Sequence, residues 1–173
     1  MSFKIGEKVV YPNHGVGIIE QISFGFVNGK SERYYLLRIL SSGLKVMVPE
    51  VNVTAVGLRP VIRSNEATKV LNYLEKGDFH SHHDWKHRFK ENSERMRTGS
   101  LLEVATVLKS LVALSRTKPL SFREKKMLER ARHLLVSELA TVRNMTETAA
   151  EDSLTRALAK AKLSMPPLVE RVE

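Results

Sequence analysis

Residues 15–40 read GVGIIEQISFGFVNGKSERYYLLRIL. Val16, Ile18, Ile22, Phe24 and Phe26 recur at a period of two, the spacing of a half-buried strand. Asn28-Gly29 then supplies two residues that tolerate positive φ, the signature of a tight hairpin turn. The run from Arg33 to Leu40 is the expected return strand. Working outward, VVYP (9–12) precedes this hairpin as a short β-rich run. Ser41-Ser42-Gly43 makes the next turn. In LKVMVP (44–49), Leu44, Val46 and Val48 alternate with Lys45 and Met47. AVGLR (55–59) is expected as a fifth strand. Short strands joined by tight turns predict a small antiparallel barrel or a strongly bent sheet.

Past Arg59 the period becomes helical. NEATKVLNYLE opens a helix at Asn65 that ends at Gly77, and DFHSHHD (78–84) is a polar linker. The next helix runs from Asp84 to Arg97 and stops at Thr98-Gly99. Ser100 with Glu103, and Ser121 with Glu124, are two capping boxes. The helix after Ser100 is apolar around most of its circumference, which predicts the centre of a bundle. The helix after Ser121 carries Met127, Leu128, Ala131, Leu134, Leu135 and Leu139 at helical spacing. A last helix is expected from Thr148 to Leu163, ended by Met165-Pro166-Pro167. The chain is therefore read as an α+β two-domain protein, with a β domain over 1–60 and an all-helical domain over 61–173.

The 173 residues hold 28 Lys+Arg against 19 Asp+Glu, a formal charge of +9. That excess favours a polyanionic partner. The absence of cysteine removes disulfides, thiolate zinc sites and cysteine nucleophiles. No apolar run approaches the roughly 18–20 residues of a membrane span. Met1-Ser2-Phe3-Lys4-Ile5-Gly6 has no apolar signal region. The expectation is a cytoplasmic protein with no membrane partner.

Two basic segments stand out. DWKHRFKENSERMR holds the only tryptophan, Trp85, among Lys86, Arg88, Lys90, Arg95 and Arg97. Trp85 reads either as a core anchor or as a surface ring that stacks on bases while cations hold phosphates. RTKPLSFREKKMLERAR carries Arg116, Lys118, Arg123, Lys125, Lys126, Arg130 and Arg132. It is either a solvated helix face or a phosphate-contact surface. His80, His82, His83 and His87 cluster, and His83 and His87 are four apart, but no glutamate completes an HExxH pattern. A polar linker accounts for them, and no metal or other cofactor is expected. Gly15-Val16-Gly17 lacks the rest of a phosphate loop and is read as a strand bend. No catalytic constellation and no small-molecule substrate site is evident, so the chain is not read as an enzyme.

These residues, taken together, resemble the CarD/CdnL family of bacterial RNA polymerase-binding transcription regulators. The resemblance rests on FKIGEKVVYPNHGVG, LRIL, LKVMVPEVNVTAVGLR, W-K-H-R-F-K, TGS and LSFREKKMLERARHLLVSEL, in that order from Phe3 to about Leu139. It implies a Tudor-like N-terminal domain that binds the lobe of the polymerase β subunit, and a compact helical domain that meets promoter DNA. The implied polymerase contacts are Arg38, Met47 and Pro49, with Lys45, Val46 and Val48 beside them. Trp85 becomes a wedge in the minor groove at the upstream edge of the melted −10 region. Lys86, His87, Arg88, Lys90, Arg123, Lys125, Lys126 and Arg130 are the implied DNA contacts. The implied role is to prolong the open promoter complex, from the cytoplasm and on the nucleoid through polymerase. The competing reading is a general nucleic-acid-binding module that acts on RNA or ribosomes without polymerase. His87 stands where relatives carry Arg, which predicts DNA affinity rising below about pH 6.5. The tail beyond about residue 145 matches loosely, and no long basic extension follows, as in the short CdnL-type form.

Overall fold

The structure is a computed structural model that describes residues 2–76 and 85–167, with backbone only at Val27, Trp85 and Lys86. The expected linker over 78–84, with His80, His82 and His83, lies outside the described residues. Two compact units meet in sequence between Val61 and Ile62.

The first unit contains β1 (Lys8–Tyr11), β2 (Gly15–Val27), β3 (Lys30–Ile39) and β4 (Lys45–Pro49), then a 3-10 turn (Glu50–Asn52), α1 (Val53–Val56) and β5 (Arg59–Pro60). The strands form one antiparallel sheet in the order β4-β3-β2-β1-β5. Asn28 (φ 52°) and Gly29 (φ 76°) turn the β2–β3 hairpin, both in the left-handed region that a tight hairpin requires. The register slips between Ile19 and Gln21, which makes Glu20 the extra residue of a bulge. Tyr35 is the polar handle of the core. Its hydroxyl accepts from the Phe3 N–H at 3.2 Å and donates to Glu50 Oε1 at 3.3 Å. Around it pack Val9, Ile19, Leu37, Val48, Val53 and Leu58.

One expectation fails here. Of the strand expected over 55–59, Ala55 and Val56 lie instead in the helical turn α1. Gly57 at φ 77° closes that turn in the left-handed conformation, and the Leu58 N–H returns to the Val53 carbonyl at 3.1 Å. Burying Val53 and Leu58 in one core outweighs the β preference of their neighbours. Only Arg59 and Pro60 join the sheet, opposite Val10 and Val9. Gly17, read as part of a strand bend, also allows close approach: a Cβ there would lie 3.1 Å from the Arg38 carbonyl oxygen.

The second unit contains α2 (Ser64–Glu75), α3 (Trp85–Arg97), α4 (Leu101–Ser115), α5 (Phe122–Arg143) and α6 (Glu147–Lys160). The last helix starts earlier and ends sooner than expected. The Thr146 hydroxyl accepts from the Ala149 N–H at 3.1 Å and caps its start. α4 is the central helix. Its Val104, Ala105, Val107, Leu108, Leu111 and Val112 are all buried, and it packs against α2, α3 and α5. Lys109 is buried with them. Its ammonium donates to the carbonyls of Tyr73, at 2.8 Å, and Lys76, and so satisfies the C-terminal turn of α2. Among the described residues no helix is long and apolar enough to cross a membrane. The chain thus has the expected α+β two-domain architecture, a Tudor-like β unit followed by an all-helical one.

Candidate interaction surfaces

In the β unit the informative surface is the outer face of β3 and β4. β4 is an edge strand, paired only with β3 among the described residues. The register sets Tyr34 opposite Pro49, Leu36 opposite Met47 and Arg38 opposite Lys45. Alternation sends these six outward. Met47 is 56% exposed, large for a side chain of its apolarity. Val46 and Val48 alternate inward. Val48 is buried in the core and Val46 packs against it. Val46 and Val48, expected as further polymerase contacts, thus turn their side chains toward the core, and it is their main chain that lies along the edge. The bulge sets Glu20 against two of the outward cations. Glu20 pairs with Arg38 Nε and lies 3.9 Å from Lys45 Nζ. The result is an apolar half (Tyr34, Leu36, Met47, Pro49) beside a charged half (Arg38, Lys45, Glu20). Sequence reading missed Tyr34 and Leu36. The four consecutive residues Tyr34, Tyr35, Leu36 and Leu37 hide their own alternation, and β4 supplies the register that reveals it.

In the helical unit the basic residues expected to meet DNA fall on two helices, α3 and α5. On α3, His87, Lys90, Glu94 and Arg97 are exposed at spacings of three, four and three, one face of a helix. On α5, Arg123, Lys126, Arg130 and His133 repeat that spacing, also exposed. The second stripe spans about 15 Å at 1.5 Å per residue. His133 was not anticipated, although its place seven residues after Lys126 was a usable signal. Lys125 is exposed beside the stripe. Two aromatic rings are interleaved. The Arg123 guanidinium lies 4.6 Å from the Phe89 ring centre, and the Lys126 ammonium 4.5 Å from that of Phe122, which is itself 62% exposed.

Arg88 departs from the expectation. It is only 4% exposed, and its guanidinium meets the equally buried Glu124. It cannot lie on a phosphate without leaving that site, so it is removed from the DNA contacts. A basic residue on a basic helix gives no sign of which face turns inward. Trp85 opens α3 and Lys86 follows it; their side chains lie outside the described residues. The histidine cluster is represented only by His87, and among the described residues no three metal-binding side chains converge.

Comparison with known proteins follows the same division. Residues 3–62 match the family described as CarD-like/TRCF RID domain, and residues 69–155 the one described as CarD, C-terminal domain. A Bacillus subtilis (strain 168) protein named putative transcription factor YdeB is 34% identical over 145 residues, covering 84% of this chain and 95% of that one. Two solved Myxococcus xanthus structures are similar to part of this chain. The 72-residue N-terminal domain of CarD is 37% identical over 34% of this chain and 79% of its own, with a TM-score of 0.30. CdnLNt is 45% identical over 36% of this chain and 87% of its own, also at 0.30.

Proposed function

Since the chain belongs to the CarD/CdnL family and is a transcription regulator of the RNA polymerase-interacting type, we propose that it is a polymerase-recruited clamp on open promoters. Residues 1–60 dock on the lobe of the polymerase β subunit, and residues 61–173 hold promoter DNA at the upstream edge of the −10 bubble. The work is done by binding, with no catalysed step, wherever polymerase occupies the bacterial nucleoid.

The observation that carries this reading is the edge strand β4 with its outward Met47 and Pro49. An unpaired edge accepts a partner's strand by main-chain hydrogen bonds, and outward apolar side chains select which strand. Arg38 and Lys45 fit an acidic rim on that partner. On the DNA side, Lys90, Arg123, Lys126 and Arg130 supply phosphate contacts that position without reading sequence. Trp85 supplies the wedge. Steps such as TA unstack cheaply, and an apolar ring in the gap opposes their closure. Each 1.4 kcal/mol of preference for the open state shifts the equilibrium about tenfold toward it.

The test is the lifetime of open complexes formed by a bacterial polymerase, with no addition, with the protein, and with Trp85→Ala. The expected result is a longer lifetime that the substitution shortens again. No prolongation by the wild-type chain would sink the clamp. Tight binding to RNA with no effect on polymerase would favour the general nucleic-acid module instead.

A further inference from the structure

Arg88 and Glu124 form a buried ion pair between two helices whose neighbouring residues are exposed and basic. Glu124 divides its oxygens. Oε1 accepts from the Ser121 backbone N–H at 3.2 Å, completing the capping box of α5, while Oε2 accepts from Arg88 Nη2 at 3.2 Å and Nε at 3.4 Å. The motif that starts α5 therefore also grips α3. Immediately beside Arg88 stand exposed His87 and, two residues on, Lys90. Immediately beside Glu124 stand exposed Arg123 and Lys125.

α3 packs chiefly on α4. Its relation to α5 is set by side chains that cross between them, Arg88 to Glu124 and Arg123 to Phe89. A buried ion pair is a poor source of stability. Desolvation offsets most of its attraction, and apolar residues of similar volume often serve as well. What such a pair does supply is a unique geometry. The guanidinium donates to the carboxylate from two nitrogens of a rigid plane, which fits few orientations.

We propose that the Arg88–Glu124 pair is a register pin, holding α3 on α5 so that His87 and Lys90 with Arg123 and Lys126 act as one phosphate-binding surface. Arg88 and Glu124 are then positioning residues, touching no DNA themselves. The inference rests on the DNA-binding reading above. It adds that the two stripes bind together because a buried contact aligns them. A phosphate surface split between two helices loses joint contacts when the helices shift, even with every exposed cation intact.

The experiment titrates a labelled promoter duplex with the full chain across a salt series, without polymerase. Arg88→Met combined with Glu124→Gln removes both charges at once, so neither is left buried alone, and the new amide oxygen can still accept the cap bond. The expected result is a folded variant that binds about tenfold more weakly at low salt. Its log K against log salt should be shallower by about 2, the loss of roughly two phosphate contacts. A folded double variant with the wild-type affinity and slope would overturn the pin and leave DNA binding standing. Should the double variant fail to fold, Arg88→Lys carries the test. It keeps the charge and loses the fork, so a wild-type slope there overturns the pin equally. Wild-type protein with no salt-dependent binding would instead sink the DNA surface itself, and the pin with it.

Discussion

Lys109 sits where a lysine is least expected, fully buried in the central helix of the helical unit. It is held there by the carbonyls that α2 leaves open at its C-terminal end, and by the Tyr73 ring 4.8 Å away. Lys109→Met keeps the volume and removes the donors. The Tyr73 and Lys76 carbonyls, both part-buried in these bonds, then lose a partner, which outweighs the relief of the buried charge. The variant should lose about 2 kcal/mol of stability, read as a lower urea midpoint at unchanged m. A lysine among the apolar residues of this helix was visible in the sequence, but its purpose was not, since the carbonyls lie 33 and 36 positions earlier in the chain. Arg88 teaches the same point from the other side. Its charge was legible and its burial was not, because burial depends on the Glu124 that meets it.

At the scale of elements, local chemistry predicted most of what forms. The Asn28-Gly29 hairpin, the strands β1 and β4 beside it and the helices after residue 63 follow their own periodicity. The misread element is α1, where Val, Thr and Ala carry no helical pattern and the outcome depends on core burial. The two capping boxes divide similarly. At Ser121 both reciprocal bonds form. At Ser100 the hydroxyl accepts from the Glu103 N–H at 3.5 Å, while the Glu103 carboxylate is drawn to Arg95 Nε at 3.3 Å. One competing cation leaves that box half made. Ser121→Ala should therefore cost about 1 kcal/mol and Ser100→Ala clearly less, measured by urea unfolding of the two variants side by side. Equal losses would mean that Glu103 still serves its cap.

For the whole molecule, composition indicated a polyanionic partner but not which unit meets it, since both are basic. The two surfaces became separable only through burial, with an apolar edge on the sheet and cationic stripes on the helices. If the edge binds polymerase and the helices bind DNA, their variants must fail differently. In that reading the polymerase contact is made alike before and after melting, and it raises local concentration without favouring either state. Met47→Glu, a charge placed on that edge, should shift the protein concentration needed for half-maximal prolongation upward by roughly tenfold, while the lifetime reached at saturation stays the same. Trp85→Ala removes a contact proposed to exist only in the open state. It should lower the saturating lifetime with less effect on the half-maximal concentration. Measuring lifetimes across a protein titration with each variant separates the two. A lowered plateau for Met47→Glu would mean that the edge itself discriminates open from closed complexes, and recruitment and clamping would then be one event rather than two.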